Sequence, residues 1–208
     1  MRHAGASTSH RLKPRLALAG SGLAAGLISS LAISGSLLLV ERMSSLPVGT
    51  FYLVLVSALL QTPEYTVNTI VLGLLMHIAA GSIIGLAMSV PFIAWKRSFA
   101  ASGKYAPAYG IGAGFALWAV LFLPVTYGIM LPLLDSTGGQ EVISQQVPTG
   151  EVHAIATDEL LAIMDRVIVG SLAFNMFYGL LAVILTRSLY EAYLRRKSAH
   201  TLVRGSKF

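Results

Sequence analysis

Gly73-Leu-Leu-Met-His77-Ile-Ala-Ala-Gly81-Ser-Ile-Ile-Gly85-Leu-Ala-Met-Ser89 decides how this chain folds. It lies inside a run from Val67 to Ile93 whose only acidic or basic side chain is His77. At 3.6 residues per turn, positions 73, 77, 81, 85 and 89 make a slowly drifting stripe on one helix face. Four of the five are Gly or Ser, and the fifth carries an imidazole. The remaining surface is Leu, Ile, Ala and Met. Such a helix suits lipid, lets a neighbouring backbone come close, and holds one polar group at mid-depth.

The whole chain agrees with this stretch. Of 208 residues, 55% are hydrophobic and 12% charged, with a mean hydropathy of +0.71, far from an ordinary soluble domain. A hydrocarbon core about 30 Å thick takes roughly 20 apolar residues per crossing. Four stretches qualify: 16–40, 67–93, 108–134 and 167–186. The expected fold is therefore all-α, an integral membrane four-helix bundle. There is no cysteine, which excludes disulfides, thiolate metal sites and thiol catalysis.

The net charge of +6 is unevenly placed. Thirteen of the 15 Lys and Arg residues precede the first span, join the second to the third, or follow the fourth. The opposite side holds only Arg42 and Arg166 but eight of the nine acids. Basic loops stay cytoplasmic, so both termini are expected inside and both longer loops outside. This makes residues 1–15 a basic cytoplasmic N-terminus, 16–186 the membrane domain and 187–208 a basic cytoplasmic tail. The basic surplus sets topology and favours anionic lipid headgroups. It does not point to nucleic acid.

Taken in order, residues 1–15 resemble the start of a signal peptide. The apolar run that follows is about 25 residues, longer than a signal-peptide core, and Glu41-Arg42 ends it instead of a small-residue cleavage site. It reads as a retained first span, with Gly22, Gly26, Ser30 and Ser34 spaced by four. Residues 46–61 are apolar but short, and read as an interfacial or re-entrant helix on the outer face. Thr62-Pro63-Glu64 is a helix-start signal for the second span. Residues 98–107 read as a cytoplasmic link, with Pro107 opening the third span. Pro124 removes a main-chain hydrogen bond within that span and predicts a kink. The outer loop, 135–166, has turn signals at Ser136–Gly139 and Pro148–Gly150. Thr157-Asp158-Glu159 then marks a helix start that can run through the fourth span to Arg195-Arg196-Lys197.

The second and fourth spans echo each other: His77-Ile-Ala-Ala-Gly81 lies on Asn175-Met-Phe-Tyr-Gly179. Gly22-x-x-x-Gly26 and Gly110-x-x-x-Gly114 echo more weakly. Duplication of a two-helix unit and chance likeness between membrane helices both account for this. The echo puts His77 and Asn175 at similar depth. If they face each other, an interhelical hydrogen bond joins them, and Ser30, Thr126 and Tyr178 complete a candidate intramembrane polar cluster. Gly22, Gly26, Gly73, Gly81, Gly85, Gly110, Gly114 and Gly179 are the candidate helix-packing positions.

His77 has three functional options: haem or metal ligand, proton relay, or solute contact. Against these stands a neutral histidine bonded to a facing helix, which the sequence favours. A haem would need Met76, Met88, Met130, Met176 or a partner chain as its second ligand. Glu151, His153, Asp158 and Glu159 are metal-compatible in type, but their spacing matches no metal motif. Gly110-x-Gly112-x-Gly114 follows no strand, so it is no dinucleotide fingerprint. No catalytic motif is present, and neither a cofactor nor a catalytic residue is expected.

Gly20-Ser-Gly-Leu-Ala-Ala-Gly26, the His-containing second span with its spaced glycines, and Tyr109-Gly-x-Gly-x-Gly ending in Leu123-Pro124 and Leu131-Pro132 resemble the YagU-type family of small four-span inner-membrane proteins. The likeness covers roughly residues 16–197, and Asn175 departs from it where a second His is expected. It implies only a four-helix membrane protein. The functional expectation is a non-enzymatic protein acting through helix packing, as an accessory subunit of a membrane complex or as a homo-oligomer. The alternative is a small transporter or channel with a polar pathway near His77 and Asn175. A haem-binding redox subunit is the third reading.

Overall fold

The computed structural model describes residues 5–44, 67–94, 96–132, 141–146 and 152–205. Among the described residues, four long helices make the fold. Helix α1 runs Gly5–Ser44 and α2 Val67–Ala94. Helix α3 covers Lys96–Leu117 and continues to Met130 through altered helical geometry. Helix α4 runs Thr157–Gly205. All four contain stretches long and apolar enough to cross a membrane: Pro14–Val40, Val71–Ala94, Gly103–Met130 and Ala162–Ala199. The expected interfacial helix at 46–61 and the helix-start signal at 62–64 lie outside the described residues.

One boundary differs from the sequence reading. Helix α3 is already helical from Lys96, so the supposed link at 98–107 is its first three turns and Pro107 lies inside it. Pro14 and Pro91 likewise sit inside helices. A proline loses one main-chain bond, but neighbouring turns in a lipid-embedded helix readjust to absorb the loss. The helix carrying the fourth span is unbroken from Thr157 through Arg195-Arg196-Lys197, as the sequence reading expects. The start signal at Thr157-Asp158-Glu159 is where that helix begins.

Around Pro124 the helical pattern changes. Trp118–Phe122 and Thr126–Met130 are π-helical, separated by a short turn at Leu123–Val125. The Leu123 N–H donates to the Trp118 carbonyl, and the Leu131 N–H to the Thr126 carbonyl. The Thr126 N–H donates to the Leu123 carbonyl. Pro124 thus lies in a tight turn between two wide ones.

Between α3 and α4 the described residues form a two-stranded antiparallel hairpin, β1 at Glu141–Gln146 and β2 at Val152–Ala156. Ile143 pairs with Ile155, Ser144 with Ala154 and Gln145 with His153, and the register shifts between Glu141 and Ile143. The Pro148–Gly150 turn signal falls between the strands. β2 leads into α4 without an intervening residue.

The helices pack as two hairpins, α1 against α2 and α3 against α4, with α1 and α4 forming the main contact between them. Leu18, Phe92, Ala106 and Val183, one from each helix, form a cluster joined by Ile93, Tyr109 and Tyr190. Ile33, Tyr178 and Ala182 form a second, against Leu37, Ile84, Met88, Leu117 and Phe174. Buried residues concentrate in the half of the bundle nearer the chain termini. In the other half, among the described residues, Ile33, Gly73, Thr126, Met130 and Met164 are the buried ones.

Candidate functional site

All eight glycines expected to pack helices are buried. A methyl group at Gly22 would sit 2.7 Å from Ser89 Cβ and 2.8 Å from the Gly85 carbonyl. One at Gly26 would meet the Gly81 carbonyl and, at 2.9 Å, the Gly85 Cα. The first hairpin is thus closed backbone against backbone, with Ser30 continuing the seam against Gly81. The second is closed the same way. A methyl at Gly110 would lie 2.7 Å from Leu180 Cα, and one at Gly114 2.6 Å from Met176 Cα. One at Gly179 would meet the Gly110 carbonyl and the Gly114 backbone. Contacts this close bring Cα–H groups within reach of facing carbonyls and maximise dispersion where no hydrophobic drive exists between helices.

These contacts set a register between the hairpins. Gly81 faces Gly26 and Ser30, while Gly179 faces Gly110 and Gly114. The counterpart of Gly110 is therefore Gly26, and that of Gly114 is Ser30. The sequence echo laid Gly22 on Gly110, one helical turn away from this pairing. Val183 and Ala106, the next turn of the second hairpin, are likewise buried together.

The candidate polar cluster separates into parts. Ser30 and Tyr178 do converge, both on Gly81. The Ser30 hydroxyl occupies the space where Gly81 would carry a Cβ, and the Tyr178 O–H donates to the Gly81 carbonyl at 2.5 Å. That bond ties α4 to α2 across the two hairpins, and such bonds between membrane helices contribute about 0.6 kcal/mol on average.

His77 lies one turn from Gly81 in α2, on the row whose Gly81 and Gly85 meet α1. Asn175 belongs to the α3 seam: its carbonyl packs on Gly114, and its side-chain amide donates to the Ser171 carbonyl of its own helix at 2.8 Å. Each polar residue thus serves a different hairpin. Thr126 is buried but lies 12 residues beyond Gly114 on α3, roughly 18 Å along the axis. It belongs to the other end of the bundle.

Sequence reasoning missed Trp118, whose indole N–H donates to the Ser171 hydroxyl at 3.0 Å and the Ile168 carbonyl at 3.2 Å. It secures α3 to α4 where the first π-helical segment begins. An indole inside a span must find an acceptor, and that requirement was the available signal. Among the described residues, no group of three or more His, Asp or Glu side chains is placed to hold a metal ion. Set against protein-family models, curated proteins and solved structures, the chain matches none.

Proposed function

We propose that this multi-pass protein works by helix packing in the cytoplasmic membrane, with both termini inside, as an accessory subunit or a homo-oligomer and not as an enzyme. One observation carries the reading: a small-residue stripe that stays exposed among the described residues. Gly22, Gly26, Gly81, Gly85, Gly110, Gly114 and Gly179 are consumed within the two hairpins, but Ala108, Gly112 and Ala116 form a four-spaced row exposed on α3. A methyl at Gly112 would meet nothing within 4 Å. Helix α3 is also the least enclosed of the four, with 11% of its most apolar stretch buried against 22–28% in the others. The basic ends, including exposed Arg195, Arg196 and Lys197, sit among anionic headgroups in this arrangement. A shared origin of the two hairpins and kinship with the YagU-type family belong to the same proposal.

Because the chain has no cysteine, single-cysteine variants test this cleanly. Gly112→Cys or Ala116→Cys in native membranes is expected to cross-link, either to a second copy under oxidation or to a partner through a bifunctional maleimide. Ile83→Cys, exposed on α2, is the control. Equal and negligible cross-linking at all three positions would remove the proposal.

A second reading, transport of a small solute past His77 and Ser30, is favoured by the buried hydroxyls of Ser29 and Ser30, which have no hydrogen-bond partner. It predicts that His77→Ala abolishes solute flux into liposomes while the protein stays folded. Flux unchanged by the substitution counts against it.

A further inference from the structure

We infer that α3 is jointed between Trp118 and Thr126, so that its far end, beyond Thr126, takes more than one position against the rest of the bundle. This goes beyond the packing reading and does not depend on it.

Proline is one ingredient of the joint and not the whole of it. Pro14, Pro91 and Pro107 each lie inside a helix that keeps regular α geometry on both sides of the ring. At Pro124 the geometry instead changes from wide to tight and back to wide between Trp118 and Met130. Helix α4, packed alongside, holds a single geometry for 49 residues. Wide turns and a missing main-chain donor both weaken the regular ladder of hydrogen bonds, and helices bend where they occur.

The attachments of α3 change character at the same place. Gly110 and Gly114 press on the α4 backbone, and the Trp118 indole donates to the Ser171 hydroxyl and the Ile168 carbonyl. Among the described elements, the first π-helical segment packs on α4, whereas the second packs chiefly on the short turn beside it. A methyl at Gly128 would meet nothing within 4 Å, and Val120, Leu121, Tyr127 and Ile129 are exposed. One side of the joint is therefore clamped by main-chain contact and an indole bond, and the other is seated mainly through buried Thr126 and Met130. Segments with few packed contacts open at low cost relative to the whole fold.

Thr126 shows that this seat is not fully matched. The buried hydroxyls of Ser21, Ser82 and Thr186 donate to the carbonyl four residues back in their own helices, the usual solution in lipid. The Thr126 hydroxyl is buried as well and makes no hydrogen bond. Ser29 and Ser30 share that lack, but the glycine seam holds their helix against α2. An unmatched buried hydroxyl raises the free energy of the arrangement that contains it. Where the backbone is free to bend, that narrows the gap to a second arrangement.

Because the chain has no cysteine, spin labels on introduced cysteine pairs read this by double electron–electron resonance on the full chain in lipid nanodiscs. Val169 on α4 is paired either with Ile129, beyond the joint, or with Ile111, before it, and all three are exposed. The Val169–Ile129 distances are expected to spread at least about twice as widely as the Val169–Ile111 distances. Pro124→Ala, which restores a main-chain donor, should narrow the first distribution to the width of the second. Equal widths with Pro124 in place overturn the inference, as does a spread that Pro124→Ala leaves unchanged. Should Pro124→Ala not fold, the comparison of the two pairs with Pro124 in place decides by itself.

Discussion

Gly26→Val is expected to be the most damaging single substitution in the chain, destabilising the bundle by about 3 kcal/mol or more. The added carbons would enter space filled by the Gly81 carbonyl and the Gly85 Cα. Those atoms are main chain, so no rotamer change relieves the collision. Helices α1 and α2 must move apart along the whole seam from Gly22–Ser89 to Ser30–Gly81, which forfeits the close contact that holds them. The displacement also drags Gly81 away from Tyr178 and breaks the bond between hairpins. Unfolding followed by steric trapping, or by helix content against detergent composition, measures the loss. A Gly26→Val protein as stable as the parent would show that the glycine seam is not what joins α1 to α2.

Gly114→Ala and Gly112→Ala are expected to differ sharply although they lie two residues apart on one helix. Gly114 is pressed on the backbone of Asn175 and Met176, while Gly112 faces open space. The first substitution is expected to be destabilising by about 2 kcal/mol through overpacking. The second should stay within about 0.5 kcal/mol of the parent, as substitutions clear of packed features usually do. Comparing the pair cancels any general effect of exchanging glycine for alanine in a helix. Equal effects would mean that α3 does not meet α4 along Gly110–Gly114. In the reading of α3 as a docking face, Gly112→Ala also leaves fold stability intact while weakening association.

The glycine stripes were legible in the sequence because lipid removes the hydrophobic drive between helices and leaves small-residue spacing as the main signal of contact. All eight packing positions proved to be buried. What the spacing does not encode is which neighbour each stripe meets. Gly81 and Gly85 meet α1, whereas Gly179 and Asn175 sit against α3, and no pattern within either helix distinguishes the two cases. Asn175 also illustrates how a polar side chain in lipid need not seek a distant partner: its own helix supplies the Ser171 carbonyl one turn away. The four helices were legible and their ends less so, since Pro107 reads equally as a helix opening and as a tolerated interior residue. The β-hairpin went unread because Glu141–Gln146 shows no alternation of apolar and polar residues. The signals available were the β-branched residues on both sides of Pro148-Thr149-Gly150, and they are weak by themselves.

Helix α4 has 49 residues without a break, about 74 Å at the usual rise, more than twice the depth of the hydrocarbon. It is a stiff lever that begins at the end of β2 and ends beyond the Arg195-Arg196-Lys197 cluster. Tilting it by about 10° around its middle swings each tip roughly 6 Å. The strand pair and the basic cluster therefore sit at opposite ends of one continuous helix.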